Sequence, residues 1–256
     1  MKGRNGSESV GLLVTCLVDL FRPEVAFASA NLIERQGFQV EVPEQTCCGQ
    51  PAFNSGDRAS AIQIAKQVVA AFESVAYVVV PSGSCAAMVR VHYPSLLEDE
   101  AEWHERAVAV ASRTYELTSF LVNVCGISSV DATCPTKVAL HDNCSARREL
   151  KVVDQPRTLL DSVRDLELVE LNNPEECCGF GGTFCVKYPE ISQTMVDRKL
   201  NDIADSSAEL LVSTDMGCLL NIAGRLQRLG SPVAVRHIAE VLSQNYDASP
   251  IGQGSD

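Results

Sequence analysis

The 256-residue chain sets 33 acidic against 21 basic residues, a formal charge of −12 with a pI near 4.8. That balance excludes the basic stripe a phosphate backbone needs, since the most basic pair, Arg147 and Arg148, is followed at once by Glu149. With 46% hydrophobic and 21% charged residues, the composition excludes a disordered or fibrous chain and suits one large or two small globular domains.

In chain order, the first apolar run, VGLLVTCLVDLF at 10–21, is interrupted by Asp19. It is shorter than the roughly 20 residues a bilayer crossing requires. No small-residue cleavage site closes it, so a cytoplasmic protein is expected. Periodicity predicts strands near 10–15, 37–42 and 75–80, with helices near 23–36, 57–74, 84–92 and 99–112. It then predicts strands near 136–141, 166–171 and 208–213, with helices near 156–164, 189–205, 217–229 and 236–245. Alternation of strand and helix implies an α/β fold with parallel, Rossmann-like sheets flanked by helices.

Eleven cysteines in a reducing compartment point to metal or redox chemistry rather than disulfides. A double cysteine occurs twice, in EQTCCGQPAFNSGD (44–57) and PEECCGFGGTFCVK (174–187). Each is preceded by an apolar run ending in a cysteine, Cys16 or Cys144, and followed by another, Cys85 or Cys218. Corresponding cysteines are offset by 128, 130 and 133 residues, which marks a duplicated unit. Two tandem units are expected, 1–128 and 129–256, joined in the turn-rich GISSVDATCPT. Each ends in a similar segment, RTYELTSFLVNV or AVRHIAEVLSQN.

The quartets Cys16, Cys47, Cys48, Cys85 and Cys144, Cys177, Cys178, Cys218 all follow predicted strands. Each should gather at the carboxyl edge of its sheet, where the loops of parallel sheets converge. Neighbouring cysteines, with Cα atoms about 3.8 Å apart, do not form unstrained bridges. Gly49 and Gly179 let the backbone approach closely and aim N–H groups at sulfur. One zinc ion could take four thiolates. Adjacent side chains diverge, however, and reach different atoms of an iron–sulfur cluster, of the 4Fe-4S type, more readily. A metal-free redox dithiol is the third alternative.

His141, three residues before Cys144, is placed either to hydrogen-bond or ligate such a group or simply to end a buried strand. Cys125 and Cys134 lack repeat counterparts and read as packing residues, whereas Cys185 corresponds to Ser55. His92, His104 and His237 fall in predicted helices and read as structural. GFGG at 179–182 has the wrong order for a dinucleotide loop, and neither a phosphate loop nor a serine nucleophile elbow is visible. Carbon chemistry by this chain alone is not expected.

The repeated pattern Cys16, Cys47-Cys48-Gly49, Cys85 and Cys144, Cys177-Cys178-Gly179, Cys218 resembles the CCG, or cysteine-rich domain, family over nearly the whole chain. That family includes a component of heterodisulfide reductase and the iron–sulfur components of glycolate oxidase and anaerobic glycerol-3-phosphate dehydrogenase. The stretches PSGSCAAMV, CCGFGGTF, VKYPEIS and STDMGCLLNI are similar to its lactate utilization protein A group. The resemblance implies an iron–sulfur electron-transfer subunit working with companion lactate utilization proteins B and C in oxidation of L-lactate to pyruvate. Two alternatives stay open, a zinc-stabilised scaffold and a heterodisulfide-reductase-like thiol–disulfide oxidoreductase. Ser82 and Asp215 stand where the family often has a further cysteine, a departure from the five-thiolate, non-cubane site of the heterodisulfide reductases.

Overall fold

The computed structural model describes residues 8–253; residues 1–7 and 254–256, the outer ends of the two expected units, lie outside it. Strand β1 (Ser9–Leu12) lies between β2 (Gln39–Glu41) and β3 (Tyr77–Val80), and β4 (Thr114–Glu116) pairs with β3. The second sheet repeats this order, with β5 (Lys137–His141) between β6 (Glu167–Val169) and β7 (Leu210–Ser213), and β8 (Ala234–His237) beyond β7. Every pairing is parallel. Val10 stands opposite Val40 and Tyr77, and Val138 stands opposite Leu168 and Leu210, so the two sheets share one register.

Each sheet therefore has four strands where periodicity indicated three. Thr114–Glu116 follows directly on helix Ala101–Ser112 with no apolar run of its own, and Ala234–His237 overlaps the start of the helix expected at 236–245. That helix begins only at Ile238, capped by His237, whose Nδ1 accepts from the Ala239 amide at 3.1 Å.

Parallel strands require crossovers, and helices supply them. In helix Glu24–Glu34, Val25, Ala28, Ser29, Leu32 and Ile33 are buried, the spacing of one helical face. Helix Arg58–Phe72 buries Ala61, Ala65, Val68, Val69 and Phe72 in the same manner, and Asp57 caps it by accepting from the Ser60 amide at 3.1 Å.

Alternation along β3 sends Val78 and Val80 into a core belonging to the first half and Val79 into a second core. The second core is shared: Val10, Leu12, Val25, Leu32 and Phe120 join Val138, Leu140, Leu211, Val212 and Leu242 there. Helices Glu24–Glu34 and Ile238–Ser243 pack together across this seam. The link segment also lies against the second half, where Ala132 and Cys134 are buried and Thr133 bridges to Arg164.

Candidate metal centres

The order β2-β1-β3 reverses the direction of strand addition at β1, which opens a crevice beyond the carboxyl ends of β1 and β3. Cys16 opens the short helix Cys16–Phe21 after β1, and Cys85 lies in helix Gly83–Ala87 after β3. The loop after β2 brings Cys47 and Cys48 between them. Cys16 and Cys47 have sulfurs 3.6 Å apart, and Cys48 and Cys85 have sulfurs 3.1 Å apart. These contacts are far longer than a disulfide bond of about 2.05 Å, so no disulfide joins the thiols of the quartet. Each member of the adjacent pair thus meets a cysteine of a different neighbouring loop, while the two also contact one another.

The second crevice repeats the arrangement. Cys144 contacts Cys177, Cys178 contacts Cys218, and Cys177 also contacts Cys178. Gly49 and Gly179 both adopt left-handed backbone, φ +79° and +80°, which glycine enters without a Cβ penalty. The turn points the Gly49 amide at Cys47 Sγ and the Gly179 amide at Cys177 Sγ, 3.4 Å in each case, and Phe180 N–H reaches Cys178 Sγ at 3.5 Å. Farther back, Tyr93 Oη donates to the Cys48 carbonyl at 2.8 Å and Asn221 Nδ2 to the Cys178 carbonyl at 2.7 Å. In each half one couple is deeply buried, Cys48 with Cys85 and Cys178 with Cys218, while Cys16, Cys47, Cys144 and Cys177 are half-buried.

Electrostatics repeat as well. The hydrogen bond from Cys16 holds the Cys47 thiol down to about 3, helped by Cys48 and the Gly49 amide, and the same contact pushes Cys16 up. Cys144 likewise lowers Cys177 to about 2 and is itself raised. Hydrogen bonds to their neighbours, together with burial, push Cys48 and Cys178 well above the usual thiol range. Cys218 is lowered to about 7 by Cys178, against burial and the Asp215 carboxylate. Without a cation each quartet favours one firm thiolate and resists the next, because like charges repel in a poorly solvated site. Among the described residues no lysine or arginine lines either crevice. A bound metal ion would invert this balance, so the donor set fits a metal centre.

The two crevices, about 190 and 200 Å³, face one another across the seam, and Gln50, Ser84, Phe180, Gly182 and Asp215 line both. Ser82 and Asp215 have a definite task here. Ser82 Oγ accepts from the Cys85 amide at 3.2 Å, and Asp215 Oδ1 accepts from the Gly217 and Cys218 amides at 3.1 and 3.4 Å, so each caps the helix carrying a cysteine. Asp215 Oδ2 also crosses the seam, accepting from Ser82 Oγ at 2.8 Å, Ser84 N at 3.0 Å and Ser84 Oγ at 2.6 Å.

Asn143 escaped notice in the sequence; its Nδ2 donates to Cys218 Sγ at 3.4 Å. A second oversight is the pair His92 Nε2 and Glu149 Oε2, 2.6 Å apart, which joins the halves at the rim of the second crevice. Both residues sit in π-helical turns, Met88–His92 and Ala146–Leu150, and such irregular turns gather at functional positions. His141 is fully buried near Cys178 and Cys218. Among the others, His104 Nδ1 contacts the Pro94 carbonyl at 2.8 Å, and Cys185 Sγ lies 3.7 Å from the Gly182 carbonyl.

Two parallel sheets, each presenting a thiol quartet beside a left-handed glycine, define a tandem cysteine-rich domain protein. The chain belongs to the CCG cysteine-rich domain family, whose model matches residues 10–90 and 138–223. It is 50% identical over 235 residues to lactate utilization protein A of Geobacillus kaustophilus (strain HTA426), covering 91% of this chain and 98% of that protein. The protein of the same name from Bacillus pumilus (strain SAFR-032) is 48% identical with the same coverage. Among solved structures, a hypothetical protein from Helicobacter pylori has the same fold, with a TM-score of 0.67 at 9% identity over 98% of this chain and 50% of that one.

Proposed function

We propose that this chain is an iron–sulfur electron-transfer subunit of a cytoplasmic system that oxidises L-lactate to pyruvate together with lactate utilization proteins B and C. The metabolic setting comes from relatives that carry the lactate utilization name over nearly their full length. The redox role rests on one observation: among the described residues, two repeated thiol quartets converge without a lysine or arginine to neutralise them, beside space for several atoms. One water needs only about 10–15 Å³ of such space. When bound, an iron–sulfur cluster supplies one-electron redox chemistry, whereas zinc has no accessible redox step.

Cys16, Cys47, Cys48 and Cys85 would hold one centre and Cys144, Cys177, Cys178 and Cys218 the other. The chain keeps water from the buried couple of each site. It supplies N–H groups to sulfur at Gly49, Gly179 and Phe180. Its half-buried couple leaves each centre open toward a partner.

Anaerobic purification with iron, sulfide and zinc analysis tests the proposal. Iron with sulfide is expected, and Cys177→Ser or Cys178→Ser should strip iron and its charge-transfer absorption from the second half, while Cys125→Ser retains both. The isolated chain should not oxidise lactate with artificial acceptors, whereas the complete complex should. A zinc-loaded, normally folded chain that supports full lactate oxidation would establish the scaffold alternative instead. Disulfide reduction by the isolated chain would favour the thiol–disulfide alternative.

A further inference from the structure

The two centres are not chemically equal. His141 closes β5, and its repeat counterpart at the end of β1 is Leu13, because Val10 and Val138 hold the same register in their sheets. Leu13 and His141 are both buried, at 0% and 1% exposure. A leucine therefore satisfies this place in the fold. Among the described residues neither Nδ1 nor Nε2 of His141 has a nitrogen or oxygen hydrogen-bond partner, although both are shut away from water; the polar contact the ring makes is with the Cys218 thiol. The polar neighbours are occupied elsewhere: Asp142 pairs with Arg147 and Arg157 at 2.8 and 2.9 Å, and Asn143 Oδ1 accepts from the Ala146 amide at 2.8 Å. Burying an imidazole with no nitrogen or oxygen partner costs free energy, and the duplicated unit shows that packing does not demand it.

What the ring does face is sulfur. A ring nitrogen of His141 and the sulfurs of Cys178 and Cys218 lie within 4.8 Å of one another. Bonds of about 2.0 Å to nitrogen and 2.3 Å to sulfur would close that triangle around one metal atom after a small inward movement. We propose that His141 is a nitrogen ligand of the metal centre in the second half, beside Cys178 and Cys218, and that the first half, with Leu13 in its place, holds its centre by thiolates alone. For its iron content this assignment rests on the function proposed above; the ligand set does not depend on which metal is present.

The consequence is an unequal pair. Both centres keep four thiolates; the second adds a neutral imidazole and, at Cys218 Sγ, the Asn143 Nδ2 donor at 3.4 Å, so the two should differ in reduction potential.

Pulsed EPR of the reduced, metal-loaded chain, prepared with natural and with 15N-labelled histidine, tests the assignment. A nitrogen coupling that changes with the label should appear, vanish in His141→Leu and persist in His92→Gln, since His92 also lines the second crevice. The His141→Leu chain should bind metal in its second site roughly 10–100-fold more weakly, with the first site unchanged as the internal measure of folding. No labelled coupling in the natural chain, or a coupling that survives His141→Leu, would overturn the proposal. If analysis finds zinc rather than iron, the electron-transfer function fails while the histidine assignment is read from the same coupling in a cobalt(II)-loaded chain. Failure of the second half to take any metal overturns both.

Discussion

Asp215 shows how much one carboxylate can organise: it caps the helix of Cys218 with one oxygen and ties Ser82 and Ser84 of the other half with the second. Its neighbourhood also contains His237, which burial holds down to about 4. Neutral His237 caps helix Ile238–Ser243 through Nδ1, and protonation would remove that acceptor. A histidine near 6.5 in the unfolded chain and about 4 in the fold binds its proton more readily when unfolded. Stability present above pH 6.5 is consequently lost as pH falls toward about 4, by about 3 kcal/mol for a shift of that size. Urea midpoints measured across this range should fall with acid in the natural protein and fall less in His237→Asn, in which asparagine still caps the helix. Equal slopes for the two proteins would remove His237 as the source.

At the scale of elements, the same turn recurs after each double cysteine, yet its surroundings differ. An added Cβ at Gly179 would lie 2.7 Å from the Ser192 carbonyl oxygen, which is backbone, whereas one at Gly49 would meet Ile64 Cγ2 at 3.2 Å, the end of a side chain that can move. Left-handed backbone costs a non-glycine residue about 1–2 kcal/mol, and overpacking adds roughly 1–3 kcal/mol. Gly49→Ala should therefore lose about 1–2 kcal/mol and Gly179→Ala about 3 kcal/mol. Chemical denaturation separates the two values, and an equal loss would show that helix Pro189–Ser206, which carries Ser192, yields freely. The second turn is additionally tied to that helix by the Ser192 hydroxyl, which donates to the Gly179 carbonyl at 2.8 Å.

Over the whole molecule, the halves are fused by burial and by charge. Arg22 donates from Nε and Nη2 to Glu240 Oε1 at 3.1 and 2.5 Å, and from Nη1 to the Ser249 carbonyl at 2.6 Å. Glu240 is fully buried and also accepts from Arg236 and from the His237 amide. Removing one member of a buried ion pair leaves the other charge poorly compensated, at a cost of about 3–5 kcal/mol. Arg22→Ala should lower stability by about 3 kcal/mol, the low end of that range because Arg236 remains. Unfolding should stay a single transition by near-UV and far-UV signals, since the halves share a core. Two separated transitions would show that the halves fold independently.

The sequence by itself determined the duplication, the α/β class, six of the eight strands and the membership of both thiol quartets. These are local properties: an offset between motifs, a hydrophobic period, a cysteine standing just past an apolar run. Gly49 and Gly179 were equally legible, because only glycine turns so tightly behind a double cysteine. Strands β4 and β8 were not, since no separate apolar run sets them apart from the helices beside them and their pairing with β3 and β7 depends on neighbours distant in the chain. Tertiary structure alone decided that the crevices face one another, that Asp215 reaches Ser84 across 131 residues, and that His92 meets Glu149. It also brought His141 within 4.8 Å of the sulfurs of Cys178 and Cys218. A histidine ending a strand can be a satisfied core residue or a ligand, and the choice turns on whether any partner is within hydrogen-bonding reach. Such reach is set by the packing of separate elements, which spacing along a chain does not encode.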